Sequence, residues 1–202
     1  KGTGQRVSGE TCTHYLTTTK EVLDNPDFNE AAKFVCSPAL RDREDCEALW
    51  QALSDGLLTA VSSDHCGIDV AELKQAGRND FTQIPNGSPG AGDRLHMVWT
   101  EGVCTGKLTR QKFVDVIATQ PAKINGIYPR KGTLAVGSDA DVVIFDPNYE
   151  GTVHLADNPN GVDYNLYEGR RQSGRVETVL LRGQVVVENA KFVGRYGQGK
   201  FI

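Results

Sequence analysis

The stretch Leu57-Leu58-Thr59-Ala60-Val61-Ser62-Ser63-Asp64-His65-Cys66-Gly67 constrains the fold more than any other part of the chain. Apolar and β-prone residues lead into a small polar pair, then a carboxylate, an imidazole and a thiol, and a glycine closes the turn. A run this apolar directly after a helical pattern predicts a strand over 57–63 buried on both faces, the form a strand takes in a parallel sheet covered by helices. Asp64 then falls at the strand's carboxyl end. In barrels and open α/β sheets that edge carries the chemistry, because the strand holds the residue while the following loop stays open to solvent. A carboxylate there can ligate a metal, take a proton, or do both; alternatively it only caps the next turn.

The residues around this stretch support an alternation of helix and strand. Asp42 has the character of an N-cap, with Asp45 three residues on, near the positive end of a helix dipole. Cys46, Leu49, Trp50 and Leu53 recur at helical spacing, so a helix over 43–55 presents one apolar face, and Gly56 stops it. Upstream, residues 6–12 predict a short strand, and Thr13-His14-Tyr15-Leu16 leads away from it. His14, alone beside a tyrosine, reads as a packed residue rather than a ligand. Residues 24–29 form a loop, 30–36 a short helical piece, and Ser37-Pro38 ends it, because the residue before proline is pushed out of the α region. Ser37 can offer its hydroxyl or its backbone to a ligand, or serve only the turn.

Downstream, residues 70–76 predict a short helical piece and 77–93 a long loop. Its centre, Ile84-Pro85-Asn86-Gly87-Ser88-Pro89-Gly90-Ala91-Gly92, is too rich in glycine and proline for regular structure. Loops this long in a compact domain usually bind something or move. The glycines match no phosphate-binding pattern; exposed backbone groups there suit a clamp for an amide-bearing ligand, with Asn86 foremost. Helices follow over 94–103 and over 110–119 behind Thr109, and a short one from Pro121 to Gly126. The periodicity then changes from 3.6 to 2. Strands are predicted at 141–146, 175–181, 184–188 and 191–193, with Arg182-Gly183 as a hairpin turn. This places a boundary near 127–132, between residues 1–130 and 131–202. The acids and aromatics of 157–170 read as structural.

A net charge of −4 and the lack of a basic stripe argue against nucleic acid, and no apolar run approaches the ~20 residues that span a bilayer. A small molecule is the expected partner. Five cysteines, scattered without a Cys-x-x-Cys pair, argue against a disulfide framework or a structural zinc site and suit a reducing cytoplasm. The chain begins at Lys1 without a methionine and soon enters a strand-like piece with little before it to pair against. It is therefore expected to be the carboxyl-terminal part of a longer protein.

Taken together, Gly9-Glu10-Thr11-Cys12-Thr13-His14-Tyr15-Leu16, Cys36-Ser37-Pro38-Ala39-Leu40-Arg41, Ser62-Ser63-Asp64-His65-Cys66 and Ile84-Pro85-Asn86-Gly87-Ser88-Pro89-Gly90 resemble successive motifs of the hydantoinase/dihydropyrimidinase family of cyclic amidohydrolases. Pro121-Ala122-Lys123, Gly132-Thr133-Leu134 and Gly137-Ser138-Asp139-Ala140-Asp141-Val142-Val143 resemble its carboxyl-terminal signature, in order and spacing. The resemblance implies the carboxyl-terminal part of a (β/α)8 barrel followed by strands of a small β-sandwich. It implies ring opening of 5-substituted hydantoins or dihydropyrimidines to N-carbamoyl amino acids at two divalent metal ions, usually zinc, in an enzyme that is commonly a homotetramer. Asp64 matches the family's last metal ligand and proton shuttle. Ser37 and Asn86 match positions whose main-chain groups hold the cyclic amide, Cys66 lines the site, and no role passes to His14 or His65. The family's remaining ligands, a His-x-His pair, a carboxylated lysine and two histidines, are not in this sequence. One ligand where about six are needed, and about two barrel strands of eight, predict that the 202-residue chain alone is inactive. Allantoinase or dihydroorotase chemistry is the nearest alternative within the enzymes. A non-catalytic, dihydropyrimidinase-like scaffold protein is the alternative outside them, disfavoured because such proteins are expected to lack an aspartate at position 64.

Overall fold

The computed structural model describes residues 4–5 and 7–202; the starting Lys1-Gly2-Thr3, and Arg6 within the strand expected over 6–12, lie outside the described residues. Two strands open the fold: β1 (Glu10–Cys12) and β2 (Ala60–Ser62) pair in parallel, Thr11 opposite Val61. Between them run α1 (Thr13–Thr17), α2 (Phe28–Ala32) and α3 (Arg43–Ser54). The α3 start is a capping box, in which the Asp45 carboxylate accepts from the Asp42 N–H at 3.3 Å.

The strand expected over 57–63 is shorter than its apolar pattern. Leu57 is 65% exposed, and Leu58 still donates its N–H to Ala52 O of α3 at 3.0 Å, so the chain is leaving the helix there. Thr59 gives both its N–H and its hydroxyl to Gly9 O, and regular pairing begins one residue later. Arg94 donates through Nη1 to Val61 O at 2.7 Å, tying its side chain to β2.

After β2 the chain makes two short 3-10 turns, Lys74–Gly77 and Phe81–Gln83, within the long loop. The helix expected over 94–103 forms as α4 (Arg94–Val98), which widens into a π turn over Trp99–Val103. Likewise α5 (Arg110–Val114) continues as a π turn to Thr119, and Thr109 caps it by accepting the Lys112 N–H at 3.1 Å. The short α6 (Gln120–Ile124) carries Pro121 in its first turn.

An antiparallel sheet follows in the order β3 (Val142–Thr152), β4 (Arg171–Leu181), β5 (Gln184–Glu188), β6 (Lys191–Phe192). The β4–β5 hairpin turns at Arg182 (φ 48°) and Gly183 (φ 78°), the pair of left-handed residues whose twist matches the flanking strands.

Two apolar clusters hold these parts together. In one, Leu16, Trp50, Leu53, Val61, Val98, Trp99, Phe113 and Val116 are buried, with Phe145 of β3 packed on them. The Trp99 ring meets Phe113 at 5.3 Å and Phe145 at 4.8 Å between centroids, both edge-on. The second cluster joins Val70 and Met97 to Val153, Tyr164, Leu166 and Tyr167. The aromatics of 157–170 are thus core residues, and the later third of the chain packs back onto the helices.

Candidate functional site

Because β1 and β2 are parallel, their carboxyl ends share one edge, and a cavity of about 620 Å³ opens there. Cys12 and Ser62, the last residues of the two strands, line it side by side, Sγ and Oγ 3.1 Å apart. Asp64 lines it two residues beyond β2, exposed and in the left-handed region at φ 47°. A non-glycine residue held there costs on the order of 1 kcal/mol, tolerated best by Asp and Asn. The turn therefore presents the carboxylate to the cavity instead of continuing the strand.

Ser37 lines the same cavity, on the segment that follows α2. Tyr15, at the start of the chain's path away from β1, donates its hydroxyl to Pro38 O at 2.8 Å and ties this segment to the strand edge. Ser37 Oγ donates to Asn86 Oδ1 at 3.1 Å, so the two residues expected to hold an amide are in contact, although Asn86 does not itself line the cavity. The loop bearing Asn86 is fastened on both sides. Gly87 N–H donates to Val35 O at 3.0 Å and Ser88 Oγ to Lys33 O at 2.7 Å. On the other side Cys66 N–H donates to Ser88 O at 3.0 Å. His65 Nδ1 accepts from the N–H groups of Gly90 and Ala91 at 3.3 and 3.4 Å, which places its ring proton on Nε2. Gly87 has φ 130°, and a Cβ there would lie 2.5 Å from Cys66 Cβ, so the loop approaches the Asp64 turn as closely as a bare backbone allows.

Electrostatics separate the carboxylate from its neighbours. Burial pushes the thiols of Cys12 and Cys36 and the phenol of Tyr15 upward, and the nearby Asp64 charge adds to each shift. The two thiols stay protonated near neutrality and are poor nucleophiles. His14 is buried with its Nε2 unpartnered and its ring 4.1 Å from that of Tyr15. Burial lowers its pKa, partly opposed by Asp64, so it stays neutral.

The structure thus brings Asp64 and Ser37 to one cavity with Asn86 behind Ser37, sets the exposed His65 and Cys66 against the loop with Cys66 outside the cavity lining it was expected to join, and leaves His14 buried. Sequence reasoning passed over Tyr15, although its place just after a strand ending at the Asp64 edge signals it. No group of three or more His, Cys, Asp or Glu among the described residues can hold a metal ion. Asp64 is a suitable oxygen donor, but this chain's donors alone do not fit a two-metal centre.

Residues 4–186 match the model of the amidohydrolase family. The chain is 48% identical to the D-hydantoinase of Ralstonia pickettii, over all of this chain and 44% of that protein, and 45% identical to the D-hydantoinase of Geobacillus stearothermophilus, over 98% of this chain and 42% of that one. Its fold superposes on the crystal structure of dihydropyrimidinase from Brevibacillus agri NCHU1002 with a TM-score of 0.96 at 46% identity, covering all of this chain and 43% of the other. The chain therefore spans less than half the length of the relatives it matches.

Proposed function

The chain belongs to the amidohydrolase family, and from that premise we propose that it is the carboxyl-terminal portion of an enzyme opening the ring of 5-substituted hydantoins or dihydropyrimidines to N-carbamoyl amino acids. The observation that carries this reading is the cavity at the carboxyl ends of two parallel strands, which the Asp64 carboxylate and Ser37 share, with Asn86 held behind Ser37. Residues 1–130 are read as the last part of a (β/α)8 barrel and 131–202 as one portion of a β-sandwich.

In this reading the main-chain groups of Ser37 and Asn86 hold the ring amide by hydrogen bonds and orient its carbonyl over the cavity. Asp64 takes a proton from the attacking water and returns it to the ring nitrogen as the C–N bond breaks, so one carboxylate serves as base and then as acid. Asp64 is also the one donor this chain would bring to a two-metal centre, zinc by resemblance, completed by residues outside it. Metal ions bound there would polarise the carbonyl and acidify the water. A cytoplasmic homotetramer is the assembly the family resemblance favours, and no helix among the described residues is long and apolar enough to cross a membrane.

Asp64→Asn tests the reading. In the complete gene product it should lower kcat for hydantoin ring opening by a factor of about 10² to 10⁴, followed by the appearance of N-carbamoyl product. A variant that keeps its rate, or a wild-type protein that opens neither hydantoin nor dihydrouracil, would overturn it.

A further inference from the structure

Lys74 sits at the start of a 3-10 turn with its side chain wholly buried. Its ammonium donates to Ala32 O at 2.7 Å and Gly87 O at 2.8 Å, and reaches Val35 O at 3.5 Å. No carboxylate is among these partners. The Tyr164 ring centroid is 6.0 Å away, and Cys36 and Cys66 are the titratable groups that act on its charge. Burial lowers its pKa to about 8. A cation enclosed with only carbonyls for company is expensive to bury. What the arrangement supplies is a joint, because these carbonyls come from two segments far apart in the chain: one leads to Ser37, and the other follows Asn86.

We propose that Lys74 is a positioning residue for the amide clamp, pinning the 86–88 loop to the 32–37 segment so that the main-chain groups of Ser37 and Asn86 keep a fixed separation. The proposal rests on the reading that these two residues bind the substrate. Lys74 touches no substrate and acts through the backbone it holds. Neighbouring contacts share the joint: Gly87 N–H to Val35 O and Ser88 Oγ to Lys33 O link the same two segments. Gly77, at the end of the Lys74 turn, lies so close to Ile84 that a Cβ would fall 2.0 Å from Ile84 Cγ1, which seats the turn directly on the start of the loop.

Lys74→Met keeps an unbranched side chain one heavy atom shorter and removes its donors. In the complete gene product it should speed hydrogen exchange of the Gly87 amide at least about tenfold while α3 amides keep their protection; unchanged exchange at Gly87 overturns the proposal. If that variant does not fold, the wild-type chain decides by NMR. A slowly exchanging Lys74 ammonium with couplings across hydrogen bonds to the carbonyl carbons of Ala32 and Gly87 supports the joint, and a rapidly exchanging ammonium without them overturns it. In the complete gene product Lys74→Met should raise KM for hydantoin about tenfold with kcat within about threefold, whereas an unchanged KM overturns the positioning role. Loss of ring opening in the wild type itself would instead overturn the substrate reading, and the exchange measurement would still judge the joint.

Discussion

Asp64 shows what a single backbone choice does: at φ 47° the chain stops being a strand and presents a carboxylate to the cavity. Its type and place at a strand's end were readable from the run before it, but the left-handed turn was not, since Asp occupies that region only when its surroundings require it. Gly87 makes a complementary case. Gly87→Ala puts a Cβ at φ 130° against Cys66, and we expect it to destabilise the chain by about 1–3 kcal/mol or more, read from the denaturant midpoint. Lys74 is a second residue that sequence reading missed, because a lysine in the mixed stretch 70–76 carries no local sign that it will be buried. Its 13Cε resonance should titrate at about 8, well below that of an exposed lysine. The unfolded chain binds the proton more tightly, so the contribution of Lys74 to stability is present in full above about 10.5 and lost as pH falls through about 8. Wild type compared with Lys74→Met at pH 7 and pH 10 separates this from the opposing titration of the buried thiols and phenols.

Among the elements, α3 and the β4–β5 hairpin were the most legible, since a capping acid, an apolar stripe at helical spacing and a left-handed turn pair all act within a few residues. Strand β2 was less so. Its apolar run overstated its length, because Leu57 leaves α3 into solvent and pairing with β1 begins only at Ala60. The π turns over Trp99–Val103 and Asp115–Thr119 had no sequence signature, and the first places Trp99 between Phe113 and Phe145. That aromatic contact joins the helices to β3. A double-mutant cycle of Trp99→Leu and Phe145→Leu should give a coupling of about 0.5–1.5 kcal/mol by chemical denaturation. Additive effects would mean that β3 is anchored elsewhere.

For the molecule as a whole, no group of three or more His, Cys, Asp or Glu among the described residues can hold a metal ion, so the 202-residue chain supplied with zinc should show no hydantoin ring opening above the uncatalysed rate, as followed by N-carbamoyl product. Turnover by the purified chain would require a complete site within it. The residues by themselves determined the helix and strand types, the caps and turns, the acid at a strand's end and the family motifs. Each of these is written in neighbours or in a short repeating period. Only the tertiary structure decided that β1 and β2 lie side by side and that Ser37 meets Asn86 across 49 positions. It alone showed the Lys74 ammonium reaching Ala32 across 42 positions. Such contacts depend on which buried faces come to share a core, and that is settled by packing over the whole chain, which no local pattern encodes.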